Sequence, residues 1–359
     1  MRAIILSSLL LCVCFLLLSG CSDFDYYLQA IDGQYEILHK TRDIHEIIAD
    51  PQVSGQLKSQ LDQALHIRAF ASTWLHLPDN DSYRRYADLG RPYVVWNVVA
   101  TPEFSLQPVT WCFPIAGCVP YRGYFKKQPA IDFARKLKKE GDDVLVYGVQ
   151  AYSTLNWFDD PLLNTFNNVS ETYLAALIFH ELAHQQVYLP GDSDFNEAFA
   201  KTVEMEGVKR WLMMHGKSRQ AERYREQLAM ERDFLRLART CRRRLQTLYA
   251  SGQTPEFMRR EKHRLIRSFQ DEVRRFRQQR NDGSGFSAWL DPALNNARFA
   301  SLNTYYQLVP AFQHLLSLYQ GELDPFYRQV AEIADRPATE RKRILAFLGR
   351  REPFASARR

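Results

Sequence analysis

The pattern of apolar and polar residues predicts a mainly helical chain with a small β-sheet. Helical spacing runs through residues 22–75 with a break at DPQVSG, and it returns in KQPAIDFARKLKKEG. Two β-branched and aromatic runs, YVVWNVVA (93–100) and DVLVYGVQAYST (143–154), predict buried strands. Between them, WCFPIAGCVPYRGYF has the pattern of a strand–loop–strand unit. This mixture of helices and strands favours the α+β class.

The second half of the chain contains a charged helical region. Residues 217–281 hold two long amphipathic stretches joined by SGQTPEF, which predicts an antiparallel helical hairpin. Its arginines are compatible either with binding of anionic lipid or with a solvated helix face. We predict four segments: a signal peptide (1–20), a core with the small sheet (21–215), the hairpin (216–283) and a C-terminal helical part that completes the core (284–359).

The N-terminus has the residue order of a secretory signal. Arg2 is followed by an apolar run and then by Leu18-Ser19-Gly20-Cys21. An uncleaved membrane helix is the alternative, although the run is near the lower length limit for a span. The small residues before Cys21 resemble a bacterial lipobox. That resemblance implies cleavage before Cys21, lipid on this residue and a periplasm-facing position at the cell envelope, and Ser22 favours the outer membrane.

Net charge and cysteine content indicate whether the protein binds nucleic acid and whether it forms a disulfide. The formal net charge of +6 is small, and the sequence has no nucleic-acid-binding motif, so we expect no nucleic-acid partner. Cys112 and Cys118 flank the loop FPIAG in a compartment that permits disulfides. We predict a bridge between these two residues, with two free thiols as the alternative.

One short motif carries the chemistry of a metal site. His180-Glu181-Leu182-Ala183-His184 follows the apolar stretch LAALIF, which predicts a buried helix. Residues four apart lie on one helix face, so both imidazoles can reach one zinc ion. Glu181 lies beside them and can act as a general base without being a ligand. Ionisable groups on a buried helix are costly unless they are paired or bind a metal.

A catalytic zinc needs a third protein ligand and an open position. The first helix should end at Leu189-Pro190-Gly191, and a second helix should start after an N-cap within Asp192-Ser193-Asp194. Glu197 then lies near the start of the second helix and can point back at the two histidines. We predict Glu197 as the third ligand, with Asp192 and Asp194 as the alternatives.

Two further carboxylates follow on the second predicted helix. Glu204 and Glu206 are more distant from the motif along the chain than Glu197. We expect them to be structural or to hold a ligand in place rather than to bind the ion.

The sequence around these motif residues resembles the predicted aminopeptidase lipoproteins of Gram-negative bacteria. The resemblance rests on HELAHQ, PGD, FNEAFA and EGV, and it continues in YYLQAIDGQYEIL, TWCFPIAGCVPYRGYF and NNARFASLNTYY, so that it covers nearly the whole mature chain. It implies a zincin-like core of the glutamate-ligand (gluzincin) kind, a zinc cofactor and aminopeptidase activity. The chain departs from many gluzincins at Lys201, where those proteins carry an acidic residue that helps to hold a histidine.

The resemblance also implies the remaining catalytic roles. Glu181 would take a proton from water and pass it to the leaving amine. Tyr305 or Tyr306 would donate to the oxyanion, with Tyr152 as a further candidate. The segment AYSTLNW follows a predicted strand and precedes the motif helix, and this position predicts a strand edge for a peptide substrate. The carboxylates available for a free substrate amine are Glu103, Asp159 and Asp160.

The sequence is also compatible with two other functions. A zinc endopeptidase would use the same ligands without a group that binds the substrate amine. A non-catalytic envelope lipoprotein would instead bind a partner through the helical hairpin. In every case the expected membrane contact is made through lipid on Cys21.

Overall fold

The computed structural model describes residues 21–113, 117–150, 154, 158–167, 169–280, 286–306 and 308–350. The side chains of residues 21–23 and 303–306 are not part of this description. The predicted signal peptide (1–20) and the C-terminal residues 351–359 lie outside the described residues.

The N-terminal half alternates helices with short strands. Its elements are α1 (Cys21–Lys40), β1 (Thr41–Asp43), α2 (Ile44–Ala49), α3 (Gly55–Leu75), β2 (Arg85–Ala87), β3 (Val95–Pro102), β4 (Trp111–Phe113), β5 (Gly117–Val119), β6 (Arg122–Tyr124), α4 (Lys127–Lys139), β7 (Asp142–Val149) and β8 (Leu162–Leu163). The predicted helical region 22–75 is therefore interrupted by strand β1 as well as by the DPQVSG turn. β1 forms because it pairs antiparallel with β2, a partner more than 40 residues away that no local pattern indicates.

The C-terminal half is helical. Its elements are α5 (Glu171–Gln186), α6 (Ser193–Met214), α7 (Ser218–Tyr249), α8 (Pro255–Gln279), α9 (Asn296–Tyr306), α10 (Val309–Leu318), α11 (Leu323–Ala334) and α12 (Ala338–Gly349). The mainly helical α+β class predicted from the sequence is confirmed. None of the helices in the described part of the chain has the length and apolar content needed to cross a bilayer.

The strands form small separate sheets. β3 pairs antiparallel with β7 along its whole length, from Val95 opposite Val149 to Pro102 opposite Asp142, and with β6 on its other edge. β2 lies between β1 and β8. β4 and β5 form a two-stranded hairpin in which Cys112 and Cys118 are joined by a disulfide.

The largest core lies between helices. α3, α5, α6, α10 and α11 bury aromatic and aliphatic side chains against one another, including Phe179, Phe195, Phe199, Phe312 and Phe326. Burial of each such ring contributes on the order of 2–3 kcal/mol. The two helices that carry the predicted metal ligands, α5 and α6, are thus surrounded by apolar packing and hold their side chains in fixed positions.

α7 and α8 form the predicted antiparallel hairpin, and they pack on the rest of the chain. Phe234 and Phe269 of the hairpin share a second core with Trp289 and Phe299, which follow it in the sequence. At the opposite edge, the buried ammonium of Lys262 donates to Asp143 of β7 at 2.6 Å. The hairpin is held by this apolar core and by a buried ion pair.

Candidate metal centre

Capping and turn residues set the ends of α5 and α6, the two helices that carry the predicted metal ligands. Ser170 caps α5 by accepting a hydrogen bond from the backbone N–H of Tyr173 at 3.2 Å. After α5, Gly191 adopts a left-handed conformation (φ 81°) that reverses the chain. Asp192 then caps α6 by accepting from the backbone N–H of Phe195 at 3.2 Å. The short turn makes the two helices antiparallel neighbours.

This reversal brings His180, His184 and Glu197 together. Nε2 of His180 lies 3.3 Å from Oε2 of Glu197, and Nε2 of His184 lies 3.8 Å from Oε1 of the same carboxylate. One donor atom from each of the three residues lies within 4.8 Å of the other two. Ligands placed about 2.0–2.1 Å from a tetrahedral zinc are about 3.3–3.5 Å apart, so the three side chains fit a zinc ion after small movements.

Glu204 holds the first histidine from the opposite side. Its Oε2 lies 3.2 Å from Nδ1 of His180, while Nε2 of that ring faces Glu197. Because an Nδ1–H that donates to a carboxylate leaves the Nε2 lone pair free, this contact selects the tautomer that a metal requires. Glu204 lies seven residues after Glu197, which is two turns along the same helix face.

Lys201 extends this polar chain to the helical hairpin. Its ammonium donates to Oε1 of Glu204 at 2.8 Å and lies 3.9 Å from Oε2 of Glu231 on α7. Lys201 therefore contacts the same carboxylate that contacts His180. The sequence predicts that Glu204 is structural or holds a ligand in place, but it does not indicate that His180 is its partner.

Burial and charge set the protonation of the two histidines differently. Burial lowers the pKa of His184 to about 4, so this imidazole is neutral and available as a ligand. Burial acts in the same direction on His180, but the hydrogen bonds and charges of Glu197 and Glu204 outweigh it and raise its pKa to about 10. Both carboxylates keep lowered pKa values, because the surrounding cationic groups outweigh the effect of their burial.

Glu181 lies next to the three donors without joining them. Burial raises its pKa to about 7, and the negative charges of Glu197 and Asp160 act in the same direction against the attraction of His180. A carboxylate with a pKa near neutrality is suited to take up and release a proton. Asp160 is itself buried and accepts hydrogen bonds from the backbone N–H and the hydroxyl of Thr154 at 2.9 and 2.7 Å.

Tyr121 is a site residue that sequence reasoning missed. It precedes β6, and its pKa is raised mainly by burial, with further contributions from the charges of Glu197 and Glu181. The charges of both carboxylates therefore act on this phenol. No sequence motif marks this tyrosine.

The disulfide hairpin touches the turn between the two ligand-bearing helices. Gly117 of β5 has a left-handed backbone (φ 72°), and a Cβ at this position would meet the backbone nitrogen of Gly191 at 2.6 Å. Only a residue without a side chain permits this approach. The Cys112–Cys118 bridge therefore lies beside the turn that sets the positions of α5 and α6 relative to each other.

Several other predicted site residues have side chains that lie outside the described residues. Tyr305 and Tyr306 end α9, but their side chains lie outside the described residues, as do Tyr152 and most of AYSTLNW. Cys21 is the first residue of α1, and its side chain is likewise not described.

Three of the other carboxylates singled out in the sequence have partners of their own: the alternative ligand Asp192, the more distant Glu206, and Glu103. Asp192 is the cap of α6 and pairs with Arg341 at 3.1 Å, while Glu206 binds Lys209 and Arg210 at 3.1 and 2.9 Å. Glu103 is bound by Arg259 of the hairpin through two hydrogen bonds. Of the three carboxylates considered for a substrate amine, Asp160 contributes to the electrostatic field at Glu181.

Comparison with known proteins identifies one family. A family model described as "Putative aminopeptidase" matches residues 25–345, which include both ligand-bearing helices and the hairpin. No curated protein and no solved structure matches the chain.

Proposed function

The chain belongs to the "Putative aminopeptidase" family, and on this premise we propose that it is a zinc-dependent aminopeptidase anchored to the bacterial cell envelope by lipid on Cys21. The observation that carries the proposal is the convergence of His180, His184 and Glu197, with Glu181 beside them in an apolar core. A purely structural site would have no need of such a base.

The donor set suits zinc, since two imidazole nitrogens and one carboxylate oxygen leave a fourth position open. His180, His184 and Glu197 would hold the ion, and Glu204 would keep the His180 ring in its binding tautomer. When bound, zinc polarises a carbonyl group and lowers the pKa of water.

The protein's own groups then move the proton. Glu181 accepts a proton from the attacking water and delivers it to the departing amine. Its apolar surroundings keep its pKa high enough for both steps. As the carbon–nitrogen bond breaks, the amine nitrogen keeps the bonding electron pair and takes the proton from Glu181.

An oxyanion needs a hydrogen-bond donor in the protein. We propose Tyr121 for this role beside the sequence candidate Tyr305, because it is a neutral phenol on which the charges of Glu197 and Glu181 act. Of the three carboxylates considered for a free substrate amine, we propose Asp160, whose charge acts on Glu181 and whose oxygens accept hydrogen bonds from Thr154.

The test combines metal analysis with peptide hydrolysis. We expect about one zinc per chain in the purified protein after dialysis, and cleavage of aminoacyl substrates that have a free amine. Glu181→Gln should lower kcat about 10²–10⁴-fold with unchanged zinc, whereas Glu226→Gln, an exposed site on α7, should match the parent.

Three outcomes would change the assignment. Equal cleavage of amine-blocked peptides would favour a zinc endopeptidase. A folded parent protein that retains no zinc would exclude the metallopeptidase function and favour a binding role for the hairpin. Full activity of Glu181→Gln would exclude the proposed base.

A further inference from the structure

Helix α1 presents an apolar stripe to solvent along its whole length. The stripe consists of Phe24, Tyr27, Leu28, Ile31, Tyr35 and Leu38. Phe24, Ile31 and Tyr35 are 64 %, 66 % and 64 % exposed, respectively. At 100° per residue these six positions fall within an arc of about 100°. A contiguous exposed stripe of this kind marks a contact surface.

The opposite face of α1 is fixed to the protein. Ile37 is buried, and the ring of Tyr26 packs edge-on against Tyr124 of β6. Gly33 lies so close to the ring of Phe125 that a Cβ there would meet it at 2.0 Å. The inner face thus holds α1 in one orientation, and the apolar stripe points directly away from the body.

Two carboxylates on one edge of α1 are paired with the body of the protein. Asp32 lies 3.3 Å from the ammonium of Lys126, and Glu36 is bound by Arg91 at 2.7 Å. Lys40 also pairs with Glu36 at 3.0 Å. These ion pairs reduce the repulsion that free carboxylates would have for an anionic surface.

The position of the stripe in the chain indicates what covers it. α1 begins at Cys21, the residue on which lipid is proposed, and Phe24 follows less than one turn later. An acyl chain on Cys21 enters the bilayer at one end of α1, and the 20-residue helix extends about 30 Å from that point. Tyrosines beside leucine and isoleucine are suited to the boundary between headgroups and acyl chains.

We propose that α1 lies flat on the lipid surface, with its apolar stripe in the headgroup region, and fixes the orientation of the protein on the membrane. This inference rests on the lipid anchor of the proposed function and extends it. The lipid holds the chain at the membrane, whereas the stripe prevents rotation about the anchor. The partner is the bilayer itself.

Site-specific labelling tests the contact in the lipidated protein. A dye would be attached to Ile31→Cys in the stripe and, as matched control, to Gln253→Cys in the exposed turn between α7 and α8. The native cysteines should not react, because the lipid occupies the Cys21 thiol, Cys112 and Cys118 are bridged, and burial raises the pKa of the Cys241 thiol to about 12. Protein without acyl groups is labelled with the substitution Cys21→Ser. Vesicles of phosphatidylethanolamine and phosphatidylglycerol would carry a nitroxide quencher near the headgroups.

We expect the dye at position 31 to be quenched at least about threefold more than the dye at position 253. Equal quenching at the two positions, with the acyl groups verified by mass, would overturn the inference. Concentration-dependent self-quenching without vesicles would assign the stripe to a second copy of the chain. A thiol at position 31 that reacts only after denaturation would show that the chain covers its own stripe.

Measurements on the same samples distinguish a failure of this inference from a failure of the proposed lipid anchor or of the proposed peptidase activity. A mass without acyl groups together with vesicle-dependent quenching at position 31 would support the stripe and remove the lipid anchor. Loss of zinc binding or peptidase activity would concern the catalytic proposal alone. Neither result alters how the quenching is interpreted.

Discussion

Oε2 of Glu204 lies 3.2 Å from Nδ1 of His180, on the side of the ring that faces away from Glu197. This contact makes a side chain outside the ligand set responsible for the orientation of a ligand. It also places α6 on both sides of the same imidazole, because Glu197 and Glu204 belong to that one helix.

Glu204→Gln should weaken zinc binding without removing a ligand. The amide cannot accept a proton or carry charge, so His180 loses the group that favours its binding tautomer, and we expect about 10–100-fold lower affinity. Competition with a chromogenic chelator measures the change. Glu206→Gln, which alters a carboxylate paired with Lys209 and Arg210, is the matched control. Equal affinities for the two variants would contradict the role of Glu204.

Zinc binding should release about one proton at neutral pH. In protein stripped of metal, Glu197 and Glu204 raise the pKa of His180 to about 10, so the ring is charged and must lose a proton to bind. Affinity should therefore rise about tenfold per pH unit between pH 7 and 9. Calorimetry in buffers with different ionisation enthalpies counts the protons. A count near zero would show that His180 is already neutral.

Gly117→Ala should disturb the metal site through the turn at Gly191. The new Cβ would meet the backbone nitrogen of Gly191 at 2.6 Å, so the turn must move. Gly252→Ala is the control, since Gly252 shares the left-handed backbone but has open space around it. Both variants should lose about 1 kcal/mol of stability from backbone strain. Only Gly117→Ala should also lose zinc affinity. A similar loss of zinc affinity in both variants would mean that backbone strain, and not the contact with Gly191, is responsible.

Tyr121→Phe should slow peptide hydrolysis while zinc content stays the same. Loss of one oxyanion donor lowers kcat by about 10²–10³-fold, with little change in KM. Tyr249→Phe, which removes a hydroxyl that donates to Asn296 at 2.9 Å, is the control. Steady-state kinetics on aminoacyl substrates decides the matter. An unchanged kcat would leave Tyr305 as the candidate donor.

Asp194→Asn should stabilise the protein above pH 6. Burial and the charge of Asp192 raise the pKa of Asp194 from 3.8 to about 6, which corresponds to about 3 kcal/mol. For an acid with a raised pKa, the cost is absent below about pH 4 and complete above pH 6. The N-terminus of α6 offsets part of it, so we expect a gain of about 1–2 kcal/mol at pH 8.

Urea unfolding at pH 8 and pH 4 tests this dependence. The gain of Asp194→Asn should fall to about 0.5 kcal/mol or less at pH 4, where Asp194 is neutral in the folded protein. Asp271→Asn, at an exposed carboxylate paired with Arg274, should show little change at pH 8. A gain for Asp194→Asn that is independent of pH would point to a cause other than charge.

The features that sequence predicted best are local ones. Helical spacing and turn residues predicted α5, the Pro190-Gly191 turn and α6, because each depends on neighbours in the chain. The fold class follows from the same patterns. Cys112 and Cys118 are joined in the structure, and only five residues lie between them in sequence.

The features that sequence missed depend on distant contacts. β1 has no alternating pattern and forms only through its pairing with β2. Tyr121 lies far from Glu181 in sequence, and only the folded chain lets the charge of Glu181 act on its phenol. Glu204 was considered, but its contact with His180 depends on the spacing of two helices, and no periodicity gives that distance.

The packing of the hairpin limits how chains of this kind can change in length. Phe234 and Phe269 form one wall of a core whose other wall is Trp289 and Phe299, so a deletion of the whole hairpin would leave those two rings in water. A shorter relative would need polar replacements at 289 and 299 to remain soluble. The hairpin therefore behaves as an integral part of the protein rather than as an exchangeable cassette. Insertions and deletions should accumulate at its tip, residues 251–253, where added loop residues cost little.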